Sequence, residues 1–467
     1  MPCESNHQPP GRHAALARMA VKILQDAGFK AYWAGGCVRD TLLGRTPKDY
    51  DITTNAAPDD IMALFPGSVG VGKAFGVVRS PVEDAMFEIA TFRADVSYSD
   101  GRHPDAVAFA DPEQDAMRRD FTVNALFYDP IAENLLDYVG GRKDLELKII
   151  RFVGNDEARI KEDHLRMLRA ARFASTLDFR IAEPTMEAIR RNAALITRIS
   201  AERVRDEMTR LLVEAAHPGK ALELLDSCGL LAHILPEVAA MKGQEQPAEF
   251  HPEGDVFVHT VLMLDMMEDR SEALAWAVLL HDVGKPSTAK KASDGRLRFP
   301  NHAEKGAELA RAIMRRLKFP SATIETVGEC IRNHMRIAES QRMRRSTLRR
   351  MAGTPHFPLE LELHRLDCLA SHRKLENYNF LVKFLEQMAS EPVLPKPWIT
   401  GNDIMAMGIP EGPDVGRWRR AAYDAQLEGR FHTREQLLEW LAGSLRQERK
   451  MNAEQRINTR EAQTDPS

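Results

Sequence analysis

Gly35-Gly36-Cys37-Val38-Arg39-Asp40, followed shortly by Lys48-Asp49-Tyr50-Asp51-Ile52, is the stretch on which the reading of this chain turns. The first string follows an apolar run, Ala31-Tyr-Trp-Ala, and opens a helical one. Adjacent glycines there let backbone N–H groups approach a phosphate, at a helix start whose partial positive charge suits an anion. Taken alone, glycines between a strand and a helix are also an ordinary turn. In the second string, residues i and i+2 of a strand share a face, so Asp49 and Asp51 present two carboxylates side by side. Like charges so placed repel, and a divalent cation compensates them. Mg²⁺ held by one or two carboxylates and substrate phosphates is the usual arrangement for nucleotidyl transfer. A polar edge strand with two solvated acids is the competing reading of that pair by itself.

Outward from this core, residues 12–28 read as an amphipathic helix closed by Gly28. Short β-type runs continue to about residue 138, among them Gly76-Val-Val-Arg, Met86-Phe-Glu-Ile-Ala-Thr-Phe and Ala106-Val-Ala-Phe, with helices between them. Beyond Gly141 apolar residues recur at helical spacing. Pro/Gly-rich stretches at 242–254 and 390–398 mark expected boundaries. At 467 residues the chain exceeds a single core, and 43% hydrophobic with 28% charged residues is the balance of an ordinary globular protein. No apolar run approaches the roughly 20 residues that span a bilayer, and the N-terminus has no secretory pattern. Cys3, Cys37, Cys228, Cys330 and Cys368 are odd in number and lack CxxC spacing, which favours a reducing compartment and hence the cytoplasm. The net charge of −4 gives no sign of nucleic acid; the one local cluster is Arg342-Met-Arg-Arg-Ser-Thr-Leu-Arg-Arg350, whose plain reading is a solvated helix face.

Together, Gly-Gly-Cys-Val-Arg-Asp and Asp-Tyr-Asp-Ile resemble motif A of the class II CCA-adding enzyme and bacterial poly(A) polymerase family. Further strings follow in the family's order. Glu88-Ile-Ala-Thr-Phe-Arg93 and Tyr98-Ser-Asp-Gly-Arg102-His-Pro resemble the strand and flexible loop after motif A. Arg118-Arg119-Asp120-Phe-Thr-Val-Asn124-Ala is similar to motif B, and residues 137–145 resemble motif C. Glu162-Asp163-His-Leu-Arg166-Met-Leu-Arg169 resembles motif D, and Ile199-Ser-Ala-Glu-Arg203-Val-Arg-Asp-Glu207 resembles motif E. The resemblance implies catalysis by metal-bound Asp49 and Asp51. It implies a nucleotide site built from Gly36, Arg39, Arg118, Arg119, Asp120, Asn124, Glu162, Asp163, Arg166 and Arg169. Asp163 and Arg166, three apart on an expected helix, would read the base edge, although a Glu162–Arg166 surface pair is the bland alternative. Glu88 is either a third acid of the site or an ordinary strand residue.

Residues 251–370 carry a second constellation: His259, Leu280-His281-Asp282-Val-Gly-Lys285, Asn301-His302, Asn333-His334 and Asp367. Histidine and carboxylate suit first-row metals. The strings resemble the HD phosphohydrolase superfamily, which implies His259, His281, Asp282 and Asp367 as ligands of a transition-metal ion and a metal-bound water able to attack a phosphoester.

The expected fold is therefore α+β: a small mixed or antiparallel nucleotidyltransferase sheet as head (12–140), then an elongated all-α succession. Its parts are a neck with the nucleotide-recognition helix (141–215), a body or linker (216–250), an HD domain (251–390), an RNA-binding tail (391–450) and a disordered end (451–467). The resemblance implies CCA addition to tRNA from CTP and ATP with Mg²⁺. Poly(A) polymerase, CC-only or A-only addition stand as alternatives within the family, and an HD phosphohydrolase with a nucleotide-sensing head as one outside it. No membrane partner is expected, and the sequence is silent on oligomeric state.

Overall fold

The computed structural model describes residues 10–461 apart from 73–75, 96–106, 248, 250, 253 and 390. The chain forms two compact units, Met1–Glu325 and Thr326–Ser467.

The first unit begins with helix α1 (Pro10–Asp26), which buries Leu16, Ala17, Ala20, Val21 and Leu24 at helical spacing. The strands that follow are β1 (Ala31–Ala34), β2 (Asp51–Thr54), β3 (Val69–Gly72), β4 (Val77–Val82) and β5 (Ala85–Thr91). Next come β6 (Arg93–Asp95) and β7 (Val107–Phe109), which pair with each other, and then β8 (Leu126–Asp129) and β9 (Asn134–Asp137). A seven-stranded sheet runs in the order β3-β4-β5-β2-β1-β8-β9. Its pairs are antiparallel except β2–β5, which is parallel, so the sheet is mixed, as the sequence implied. Helices α2 (Gly36–Leu42), α3 (Pro58–Leu64) and α4 (Pro112–Arg118) are interspersed. The β1–β2 ladder closes at Ala34↔Asp51, because Gly35 (φ 74°) turns the chain into α2. That positive φ favours glycine, and a Cβ on Gly35 would stand 2.9 Å from Arg119 Nη1. Asp49 therefore lies just ahead of the strand rather than within it. Exposure still alternates, with Tyr50 and Ile52 buried and Asp49 and Asp51 exposed, so both acids keep the same side.

After the sheet the first unit is helical. Its elements include α5 (Gly141–Glu146), α6 (Asp156–Glu162), α7 (Leu165–Leu177), α8 (Glu183–Asn192), α9 (Ala201–Glu214) and α10 (Pro218–Ser227). Further on lie α11 (Leu230–Ile234), α12 (Pro236–Ala239), α13 (Val256–Asp265), α14 (Glu272–Leu280), α15 (Lys285–Thr288) and α16 (His302–Arg316). Every residue of α14 from Leu274 to Leu280 is buried, as befits a helix apolar all round, and Trp276 Nε1 donates to Thr209 Oγ1 at 3.0 Å.

Helix α17 (Ser321–Asn333) carries the division between the units, which falls inside the segment expected as one HD domain. The second unit contains a 3₁₀ turn (His334–Arg342), α18 (Arg345–Ala352), α19 (Phe357–Ala370), α20 (Glu376–Gln387), α21 (Gly401–Ala406), α22 (Pro413–Leu427) and α23 (Arg434–Glu461). It has two cores, one around Leu348, Phe357 and Leu381 and another around Trp418, Leu437 and Leu441. The arginine run is not a solvated face throughout. Buried Arg349 donates to the carbonyls of Pro392 and Val393, both at 2.7 Å, while Arg350 donates to Asp424 at 2.6 Å and lies over the Tyr423 ring. These two side chains fasten the proline-rich connection and α22 to α18.

Candidate active site

Register places Glu88 beside Asp51. In the parallel β2–β5 pair Ile52 stands beside Ile89, so Asp51 and Glu88, one residue earlier on each strand, are neighbours on the exposed face. Three acids, Asp49, Asp51 and Glu88, thus share one surface. The Asp51 side chain reaches solvent, yet its carboxyl lies above the usual carboxylate range. Loss of hydration is the main cause, Arg119 opposes it, and Asp49 and Glu88 add repulsion. Hard oxygen donors that repel one another fit a divalent cation such as Mg²⁺. Beneath them the Cys37 thiol is pushed up to about 12, first by burial and then by Asp51, which keeps it unreactive.

Around the acids stands a set of arginines held by buried carboxylates. Asp115, fully buried on α4, accepts from Arg118 Nε at 2.9 Å and from Arg119 Nη2 at 2.9 Å. Burial alone would raise its carboxyl; the two guanidiniums outweigh that and hold it low. Arg39 Nη1 donates to Asn124 Oδ1 at 2.7 Å, and Asn124 Nδ2 to Asp120 Oδ1 at 3.3 Å. Asp120 in turn accepts from Arg169 Nε and Nη2 at 3.0 and 2.8 Å, and Arg169 reaches Glu207, which also binds Arg172. Arg39, Arg169 and Arg172 all lie against the Phe173 ring. A continuous polar relay therefore runs from α2 of the sheet region to α7 and α9. Asp115 and Glu207 were not among the sequence candidates, because their importance comes from which arginines they hold rather than from any local pattern.

The segment expected to recognise the nucleotide departs from a single helix. Glu162 ends α6, and Asp163 adopts extended dihedrals (φ −150°) before α7 begins at Leu165. The cause is local: the Asp163 side chain accepts from the N–H of Leu165 at 3.0 Å, an Asx-turn bond that competes with helix continuation. Asp163 pairs not with Arg166 but with Arg203 of α9, through two bonds at 2.6 and 3.2 Å. Arg166 pairs with Glu162 and donates to the carbonyls of Arg159 and Arg118. Gly36 opens α2 with room around it. The loop between motifs A and B falls largely at 96–106, outside the described residues.

The second constellation gathers three of its expected ligands. Ligand atoms of His259, His281 and Asp282 all lie within 4.8 Å of one another, and all three residues are buried. His259 is on α13, while His281 and Asp282 sit in the turn that ends α14, just beyond the helix in which the sequence placed them. His281 directs Nδ1 at the Val278 carbonyl (2.9 Å), and His302, the first residue of α16, does the same at Phe299 (2.9 Å). A carbonyl only accepts, so Nδ1 carries the proton and Nε2 keeps its lone pair for a metal. The Nε2 of His281 is 3.1 Å and that of His302 3.8 Å from Asp282. These donors suit a first-row transition metal. His334 and the half-buried Asp367 belong to the second unit.

Known proteins share this architecture. Three family models match: the Poly A polymerase head domain over residues 31–151, the probable RNA and SrmB-binding site of polymerase A over 178–242, and the HD domain over 255–370. A CC-adding tRNA nucleotidyltransferase of Thermus thermophilus is 33% identical across 88% of this chain and 94% of its own length. This chain belongs to the CCA-adding enzyme and poly(A) polymerase family of tRNA nucleotidyltransferases. Within the family, a Geobacillus stearothermophilus CCA-adding enzyme is 40% identical over 56% of this chain, an alignment covering 62% of that enzyme. Other curated CCA-adding relatives are matched over about half of their length, such as one of Staphylococcus aureus at 49%. The crystal structure of the Bacillus stearothermophilus CCA-adding enzyme in complex with CTP superposes with a TM-score of 0.73 at 29% identity, covering 95% of this chain and 99% of that one. No helix among the described residues is long and apolar enough to cross a membrane.

Proposed function

We propose that this chain completes tRNA 3′ ends with CCA, drawing on CTP and ATP without a nucleic-acid template, in the cytoplasm. The observation that carries the reading is the exposed carboxylate surface of Asp49, Asp51 and Glu88. Arginines held in place by buried Asp115 stand beside it, and the carbonyl of one of them, Arg118, accepts from Arg166 of the Glu162–Arg166 segment. Asp49 and Asp51, assisted by Glu88, would hold Mg²⁺, which when bound lowers the pKa of the RNA 3′-hydroxyl, with a second ion position offsetting charge on departing pyrophosphate. Arg119 and Arg118 keep donors to spare beyond Asp115 and serve as triphosphate clamps. Asp163 offers acceptors and Arg166 rigid donors to the edge of the incoming base. Free, buried Cys37, Cys228, Cys330 and Cys368 suit a reducing compartment.

CC-only addition is the second reading, favoured by the near-full-length relative named a CC-adding enzyme. The test supplies purified protein with tRNA transcripts ending before CCA, after C or after CC, each with CTP, ATP or both. An Asp49→Ala, Asp51→Ala control accompanies it. Completion to CCA followed by arrest supports the first reading. A stop at CC supports the second, and an A-tail of unlimited length reassigns the chain to poly(A) synthesis. Incorporation equal to the control rejects nucleotidyl transfer. For the buried cluster we propose a metal-dependent phosphohydrolase acting on a phosphomonoester or 2′,3′-cyclic phosphate. Hydrolysis of such esters that is lost in His281→Ala checks it.

A further inference from the structure

We propose that Lys285 makes the His259–His281–Asp282 cluster a coupled site, taking up a divalent cation and a phosphate oxyanion together. The inference rests on the cluster being a metal site. Lys285 is buried, and its ammonium lies 2.6 Å from Asp282 Oδ2 and 2.6 Å from Gln246 Oε1, over the Phe299 ring. Its backbone N–H is fixed to the Asp282 carbonyl at 2.9 Å, so the side chain always begins next to this carboxylate. An ammonium that already neutralises Asp282 opposes a second cation there, the more so where little water screens the two charges.

The ammonium holds Oδ2, so a metal taken by Asp282 either displaces it, which the flexible four-carbon stem permits, or binds Oδ1 beside its positive charge. In both cases buried positive charge is left in excess and needs an anion. A phosphate group satisfies both charges at once, with one oxygen toward the metal and another toward Lys285. Metal and phosphate then bind cooperatively, and by linkage each strengthens the other equally.

The test is calorimetric titration of Mn²⁺, with and without inorganic phosphate, in full-length Asp49→Ala, Asp51→Ala protein, so that the head contributes no metal site. The expected result is that phosphate tightens Mn²⁺ binding about tenfold, within the usual range of coupling between sites. Lys285→Met should bind Mn²⁺ more tightly than its parent without phosphate and show no phosphate effect, while Lys285→Arg, which keeps the charge, should retain opposition to Mn²⁺. If Lys285→Met fails to fold, Gln246→Leu, which removes the ammonium's second acceptor and binds it harder to Asp282, should weaken Mn²⁺ in the absence of phosphate. An equal phosphate effect in parent and Lys285→Met, or unchanged Mn²⁺ affinity in that variant, overturns the coupling while leaving the metal site standing. Titration heat that is indifferent to His281→Ala overturns the metal site and the coupling with it.

Discussion

Asp51 is held where its own charge costs the metal-free protein stability. Its carboxyl is raised by lost hydration and by Asp49 and Glu88 more than Arg119 lowers it. A carboxylate whose folded pKa lies above its unfolded value destabilises once ionised, and the cost is relieved as pH falls through the folded pKa. Asp51→Asn should therefore raise the melting temperature without metal by about a degree at pH 7, small because the side chain reaches solvent. It should also cut nucleotide incorporation at least about a thousandfold, equivalent to about 4 kcal/mol of lost transition-state stabilisation. Mg²⁺ should stabilise wild type more than the variant, and scanning calorimetry with and without Mg²⁺ reads this directly. Asp115 has the opposite sign: its folded pKa is depressed, so its contribution is complete above the unfolded value of about 4 and lost as pH falls below it. Asp115→Asn should melt several degrees lower at pH 7, and the gap from wild type should close in an acid series below pH of about 4. Asp49 and Asp51 were legible because a period of two is written in the chain itself. Glu88 was not, since its place depends on the offset between two strands far apart in sequence, and Asp115 becomes visible only once the helix end brings both arginines around it.

Between elements, the most consequential feature is the break separating α6 from α7. Sequence spacing suggested one helix presenting Asp163 and Arg166 together, and spacing alone cannot reveal that an aspartate turns back onto its own chain instead of continuing its helix. The break turns Asp163 toward Arg203 of α9, so the carboxylate proposed to read the base is oriented by an element some forty residues onward. Arg203→Ala should leave the acids and arginines of the sheet intact while freeing Asp163 to rotate. The expected outcome is a KM for CTP and ATP raised about tenfold, with UTP and GTP incorporated more readily than in wild type. The loss of one charged, bidentate partner is worth about 1.5–3 kcal/mol. Single-nucleotide incorporation with each of the four triphosphates checks it, and an unchanged preference would show that Arg203 does not orient Asp163. The β1–β2 register offers the contrasting case: the closing of the ladder at Ala34↔Asp51 follows from Gly35, whose adjacency to Gly36 already signalled a turn.

Across the whole chain, the change from sheet to helix near residue 140 could be read from hydrophobic period alone, because burial on one face imposes that period on the residues. The destination of charge could not be read that way. The run from Arg342 to Arg350 looked like the basic surface of the molecule, yet Arg349 and Arg350 spend their donors on Pro392, Val393 and Asp424 inside the second unit. Arg342, Arg344 and Arg345 of the run stay exposed, and further exposed cations lie on α22, where Arg419 and Arg420 border a cleft of about 390 Å³ with Arg350, Thr400 and Tyr423. If tRNA phosphate is met by the tail, these are the side chains that meet it, and salt dependence tells the two roles apart. Arg419→Ala, Arg420→Ala should weaken tRNA binding and lower the slope of log affinity against log salt by about one for each phosphate no longer neutralised, while thermal stability stays unchanged. Arg349→Ala should do the reverse, lowering the melting temperature by several degrees because it strips two carbonyls of their buried donor, and leaving the salt slope of the folded protein as it was. Filter binding across a salt series, set beside a melting curve for each variant, decides the matter. A reduced slope in Arg349→Ala at full stability would instead place the arginine run on the RNA-facing surface.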